Sequence, residues 1–248
     1  VADRYEIPIR ELPASFDGLR IVQLSDLHGA EFGTDNSRLL EKVRREKPDL
    51  IALTGDFVAS AGDLPVFGKL LPRLQEIAPC YYVSGNHEWA CGMMEGVSSA
   101  LRENGVTYLN NRWVFLERGG ERLCLCGVDD PNSFAGMITP GELIRQLREQ
   151  EGDMPTVLLG HRNDWPEKWP ELDVDAILCG HAHGGIIRIP GVTGVLGTGR
   201  SLFPPYTAGL HTSGRYTMAV SRGLGNIHCI PRVFNCPEIV VLTLKKAE

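Results

Sequence analysis

Three apolar runs, each closing on a polar residue beside glycine and separated by helical stretches, constrain the fold more than any other feature of this chain. Residues 19–25 end in Asp26-Leu27-His28-Gly29, residues 50–54 in Gly55-Asp56, and residues 81–84 in Gly85-Asn86-His87-Glu88. Short apolar runs bounded by turn formers read as buried strands. Between them, Leu39, Leu40 and Val43 give residues 36–47 a helical spacing that Pro48 stops. Residues 64–78 are also helical, with a break expected at Gly68 and Pro72. This β-α-β-α-β rhythm predicts a partly parallel sheet covered by helices.

The remainder of the chain changes character. An edge strand over 5–12 and a turn at Asp17-Gly18 precede the first run. A helix over 93–103 stops at Asn104-Gly105, and short strands follow over 106–109, 112–116 and 122–128, with a hairpin turn at Gly119-Gly120. A helix over 140–150 opens on Pro140. The strand over 156–159 ends in Gly160-His161, and that over 175–179 in Gly180-His181-Ala182-His183-Gly184-Gly185. Residues 186–189, 217–221 and 239–244 are strand-like, and 191–214, rich in Gly, Pro and Thr, reads as a long surface loop. With no repeat and no linker, residues 1–248 are expected to form one domain of two packed sheets flanked by helices.

Five strand ends therefore carry side chains able to bind metal: Asp26 and His28, Asp56, Asn86 and His87, His161, and the pair His181 and His183. Strand ends are where open α/β sheets build ligand sites. Each residue alone has a bland reading, as turn chemistry or a core histidine, but coincidence at five exits does not. Carboxylate, imidazole and amide oxygen together suit Mn, Fe or Zn better than the all-oxygen shell of calcium. A carboxylate such as Asp56 can bridge two divalent ions roughly 3.5–4 Å apart, the arrangement that clamps a phosphoryl group and activates water.

These motifs resemble the calcineurin-like metallophosphoesterases. The resemblance implies a four-layer α-β-β-α sandwich of two mixed sheets. It implies Asp26, His28, Asp56 and His183 at one metal, and Asp56, Asn86, His161 and His181 at the other. His87 is then the catalytic group that helps the leaving oxygen depart. The implied reaction is hydrolysis of a phosphodiester or diphosphate by metal-activated hydroxide, on a lipid- or nucleotide-linked substrate. A broad phosphomonoesterase or nuclease is the alternative, and a metal-free binding scaffold is disfavoured because it needs no complete ligand set. Gly184-Gly185, the run 221–225 and Pro237-Glu238-Ile239 resemble the bacterial membrane-associated branch. Two positions depart from the pattern: Ala59 stands where a second carboxylate is usual, and Ile186 where the branch often has Gln. Without a carboxylate at 59, Asp63, Glu88 or a backbone carbonyl is expected to orient His87.

Lys and Arg number 25 against 31 Asp and Glu, a net charge of −6, so general nucleic-acid binding is not expected. The partner expected instead is a phosphorylated small molecule or lipid, with peripheral membrane association. No apolar run is long enough to span a bilayer. The chain begins at Val1 and not methionine. An upstream anchor or signal segment is thus left open, and the expected location is cytoplasmic or membrane-associated, with export also left open. Seven cysteines without a C-x-x-C motif read as buried thiols, Cys124 and Cys126 as core neighbours on one strand face. Trp89 is a candidate site wall or core residue. Trp165 and Trp169, with the run 202–206, are candidate rims or plain packing, and Arg162, Arg200 and Arg222 are candidate phosphate contacts.

Overall fold

The computed structural model describes residues 1–133, 138–199, 201–226 and 231–247. Arg200 and Cys229 lie outside the described residues. The first sheet contains β1 (Ala2–Ile9), β2 (Arg20–Leu24), β3 (Leu50–Thr54), β4 (Cys80–Val83), β5 (Thr107–Tyr108) and β12 (Ile239–Lys246), in the order β1-β12-β2-β3-β4-β5. The second contains β6 (Arg112–Arg118), β7 (Glu121–Gly127), β8 (Thr156–Leu159), β9 (Ala176–Cys179), β10 (Gly209–Ser213) and β11 (Tyr216–Val220), in the order β10-β11-β9-β8-β7-β6. Both sheets are mixed. β2, β3, β4 and β5 run parallel, as do β7, β8, β9 and β11, while β12 and β2, β6 and β7, and β10 and β11 pair antiparallel.

Period-two alternation explains the layers, because successive side chains on a strand face opposite ways. On β3, Leu50 and Ala52 join the core between the sheets, while Ile51 and Leu53 join an outer core. That outer core is built with α1 (Ser37–Arg45), α2 (Leu64–Gln75) and α4 (Met94–Glu103), through Leu40, Phe67, Leu71 and Val97 among others. On β9, Ala176 and Leu178 face inward, whereas Ile177 and Cys179 meet α5 (Pro140–Glu151) and α6 (Trp165–Lys168). Strands buried on both faces need continuous apolar runs, which is what the sequence shows. The result is an α-β-β-α sandwich. Among the described residues, no helix is long and apolar enough to cross a membrane.

Several local expectations change. The first strand begins three residues earlier than expected, although it does lie at a sheet edge. α2 continues through Pro72 without a break. Pro72 denies the Gly68 carbonyl its helical donor, but Pro72 faces solvent and Gly68 has open space around its Cα, so water can satisfy that carbonyl. Residues 186–189 form no strand, only isolated bridges from Ile187 to Val233 and from Arg188 to Gly194. The expected loop over 191–214 holds β10 at its end. α3 (Asn86–Ala90) and α6 are too short for periodicity to reveal. Cys124 and Cys126 are buried neighbours with sulfurs 3.6 Å apart, while Cys91 and Cys236 are exposed thiols.

Candidate metal centre

β2, β3 and β4 of one sheet and β8 and β9 of the other end at one edge of the sandwich, and the seven candidate ligands meet there. The chain turns abruptly at each exit. Asp26, His28, Asp56, His181 and His183 all adopt left-handed backbone angles, with φ between 46° and 66°. Non-glycine residues held this way cost about 1 kcal/mol or more each and cluster at functional sites. The turns are cross-braced: Asp26 N–H donates to the Gly55 carbonyl, His28 N–H to that of Asp56, and Gly225 N–H to that of Asp26. Gly180 permits the closest approach, since a Cβ there would lie 1.9 Å from Ser25 Oγ and 2.3 Å from Asp26 Oδ2. Gly85 does the same for Asp56, with 2.2 Å to its Oδ1.

The donors fall into linked groups. Asp26 Oδ1 lies 3.3 Å from His183 Nε2, which is 3.2 Å from His28 Nε2. Asp56 Oδ2 lies 3.1 Å from His161 Nε2, and that nitrogen is 3.2 Å from both Asn86 Oδ1 and His181 Nδ1. Asp56 Oδ2 also stands 3.8 Å from His28 Nε2, so it faces both groups. His87 joins His28 and Asp56 within 4.8 Å, its ring edge-on to His28 with centroids 4.9 Å apart. Donors about 2.0–2.1 Å from one tetrahedral ion stand about 3.3 Å from each other, close to these separations.

Electrostatics point the same way. Burial, partly offset by Asp56, pushes His28 down to about 3. Burial also lowers His181, with the His161 and Arg162 charges adding to it, and lowers His183, with His28 and Arg232 adding to it. Neutral imidazoles are the form that coordinates metal. Burial pushes Asp26 up to about 6. Burial opposes the charged forms of Asp56 and His161, but their mutual attraction and hydrogen bond prevail, so His161 rises to about 10 and Asp56 stays low. His161 Nδ1 donates to the Thr54 carbonyl at 2.8 Å, which fixes the ring and turns Nε2 toward Asp56. His28 Nδ1 is buried without a hydrogen-bond partner among the described residues. This donor set fits divalent cations.

Glu88 does something the motif alone did not reveal. Wholly buried, it accepts from the backbone N–H groups of Asp56 (3.0 Å), Phe57 (2.6 Å), Val58 (3.3 Å) and Gly85 (3.0 Å). It is the third helical residue after Gly85, the capping-box position, which was the available signal. Neither Glu88 nor Asp63 orients His87, contrary to expectation: the Asp63 carboxylate caps Ala59 and Ser60 N–H at 2.9 and 2.8 Å. Asn235 had no sequence signal, yet its buried amide donates to the carbonyls of His183 (2.7 Å) and Ile186 (3.0 Å). Arg232 Nη2 lies 3.2 Å from His183 Nδ1, and this also lacked a signal. Trp89 is a packing residue whose Nε1 donates to Ser84 Oγ at 2.7 Å. Trp165 is buried against Gly160 and is no exposed rim. Arg222 is a structural ion-pair residue, bonded to Glu238 and Asp3, and touches no candidate ligand through its guanidinium. A cleft of about 630 Å³ beside α5 and α6 contains none of the seven donors, so volume alone does not locate the chemistry.

The family model described as calcineurin-like phosphoesterase matches residues 19–185, which spans every one of these donors. This chain is a calcineurin-like phosphoesterase. The phosphoesterase is 30% identical over 246 residues to the uncharacterized metallophosphoesterase YkuE of Bacillus subtilis, covering 94% of this chain and 82% of that one. It is likewise 30% identical over 237 residues to the phosphodiesterase YaeI of Escherichia coli, covering 91% and 82%. A Danio rerio transmembrane protein with a metallophosphoesterase domain is 29% identical over 98% of this chain, which spans 56% of that protein. The crystal structure of a Thermus thermophilus protein superposes with a TM-score of 0.52 at 15% identity, covering 83% of this chain and 90% of that one, and so shares the fold. The phosphoesterase is accordingly a metal-dependent phosphoric ester hydrolase, and its family uses divalent metals.

Proposed function

We propose that residues 1–248 act as one domain that holds two divalent ions and hydrolyses a phosphodiester or diphosphate. The observation carrying this reading is the position of Asp56, whose Oδ2 stands 3.1 Å from His161 Nε2 on one side and 3.8 Å from His28 Nε2 on the other. Asp26, His28 and His183 would complete one site with Asp56. Asn86, His161 and His181 would complete the other. Divalent ions at such a site lower the pKa of water and neutralise charge on the phosphoryl oxygens. His87, whose ring meets His28 edge-on, would protonate or stabilise the departing oxygen. Thr54 and Glu88 hold the His161 ring and the Asp56 loop still, so little reorganisation is needed as charge develops.

An amphiphilic substrate, lipid-linked for example, is favoured by a further observation. Leu202, Phe203 and Phe234 expose 70, 58 and 74% of their surface on loops that follow His183. Exposed apolar side chains gathered into one patch would offer an apolar chain a contact surface. The test is a panel of monoesters, short soluble diesters, diphosphate lipids and nucleotide diphosphate esters, assayed with Mn²⁺. Higher kcat/KM on diesters or diphosphates bearing apolar chains is expected. Equal rates on short soluble diesters would remove the amphiphilic reading, and a preference for monoesters would favour the broad phosphomonoesterase.

A further inference from the structure

Arg162 directly follows His161, and its guanidinium is gripped from behind. The side chain of Asp130 is fully buried, and its carboxylate accepts from Arg162 Nε at 2.6 Å and Nη2 at 3.0 Å. Asp130 is itself fixed, since Asn132 N–H donates to its Oδ1 at 2.9 Å and its own N–H donates to Ser84 Oγ at 3.3 Å. A planar guanidinium held at two points can aim its remaining nitrogen in one direction only. That nitrogen, Nη1, lies 3.5 Å from His181 Nε2, on a side chain left 28% exposed.

His181 turns its Nδ1 toward His161 Nε2 and the Asp56 group. A neutral imidazole has one N–H, so a ring that offers its Nδ1 lone pair there carries its proton on Nε2. With the proton on His181 Nε2, that nitrogen and Arg162 Nη1 are two donors 3.5 Å apart, and Nη1 meets no other hydrogen-bond partner among the described residues. Arg162 also lines a cleft of about 210 Å³ walled by Val128, Pro140 and Trp165, and His181 lines a second cleft of about 170 Å³ with Asn163 and Tyr206, so each donor borders an opening.

We propose that Arg162 is a substrate-binding residue whose Nη1, together with His181 Nε2–H, takes a non-bridging phosphate oxygen that the metals do not hold. Asp130 is the residue that positions it. This rests on the two-metal reading given above. A simple diester has two non-bridging oxygens, and two ions held around Asp56 would engage both. A diphosphate or a terminal phosphate has oxygens to spare, so the donor pair selects for substrates of that class.

The test uses the metal-loaded protein, with inorganic phosphate titrated by calorimetry and kcat and KM measured on a soluble diphosphate diester and a soluble phosphodiester. Arg162→Ala is expected to weaken phosphate binding about 10- to 100-fold, the usual span for a charged hydrogen-bonded contact, with metal content unchanged and Tm lowered because the buried Asp130 carboxylate loses its partner. KM should rise more for the diphosphate than for the diester. Arg162→Lys should recover only part of the loss, because an ammonium cannot be held by the Asp130 fork, and Asp130→Asn should fall in between. Unchanged phosphate affinity in Arg162→Ala, or a loss that only tracks loss of metal, would overturn the proposal. So would Arg162→Lys matching the wild type in both affinity and selectivity. If the loaded wild type hydrolysed no phosphoester, the hydrolytic reading would fail, while the phosphate titration would still decide the role of Arg162.

Discussion

Among the described residues, no carboxylate is hydrogen-bonded to the His87 ring. The His87 backbone N–H donates to Asp56 Oδ1 at 2.8 Å, which fixes where the ring starts, and the ring packs edge-on against His28. Among the described residues, no acidic group pairs with its ring nitrogens: the carboxylates of Asp63 and Glu88 are taken up by backbone amides. The ring is thus placed by the backbone bond and by its packing against His28. The His87→Ala variant is expected to keep its metals and to turn over more slowly by ~10²–10⁴, with the larger loss on poor leaving groups. Near-normal rates on good and poor leaving groups alike would show that His87 takes no part in departure of the leaving oxygen.

The loops after β3 and β4 are held together by one carboxylate. Glu88, on α3, gathers amides from residues 56–58 and from Gly85, so the exits carrying Asp56 and Asn86 move as one piece. In Glu88→Gln one oxygen becomes an NH₂ that faces backbone donors, leaving buried amides unsatisfied at about 1–3 kcal/mol each. Thermal unfolding should report this as a fall in Tm of about 5 °C or more for a chain of this length, together with weaker metal retention. An unchanged Tm would mean that the loops are held by other contacts. Strand exits were readable in the sequence because buried strands announce themselves as apolar runs, and the residue after each run has a fixed place at the sheet edge. That is why the strand exits alone pick out eight metal-capable side chains, while the division into seven ligands and His87 is what the family resemblance implies. The segment between His183 and β10 was not readable. Its order comes from isolated bridges such as Leu196 to Leu202 and from amides such as Asn235, whose partners are 49 and 52 residues away. Neither leaves a periodic trace. The unbroken α2 was hidden for a different reason: propensity penalises Pro72 in a helix, but the buried face of Phe67, Leu70, Leu71 and Leu74 outweighs that penalty.

Across the molecule, the two sheets contribute unequal halves of the site. Asp26, His28, Asp56 and Asn86 follow strands of the first sheet, and His161, His181 and His183 follow strands of the second. The site therefore exists only when the sandwich is closed, and cations bound there are coupled to its closure. Asp56 faces both donor groups, through His28 in one and His161 in the other. Changing it should consequently cost more metal than changing any donor at the periphery of either group. Elemental analysis of purified, metal-loaded protein puts this to the test. Two divalent ions per chain are expected in the wild type, about one in His161→Ala, and less than one in Asp56→Asn, with activity falling in the same order. Two tightly bound ions retained in Asp56→Asn would contradict the bridging role of Asp56.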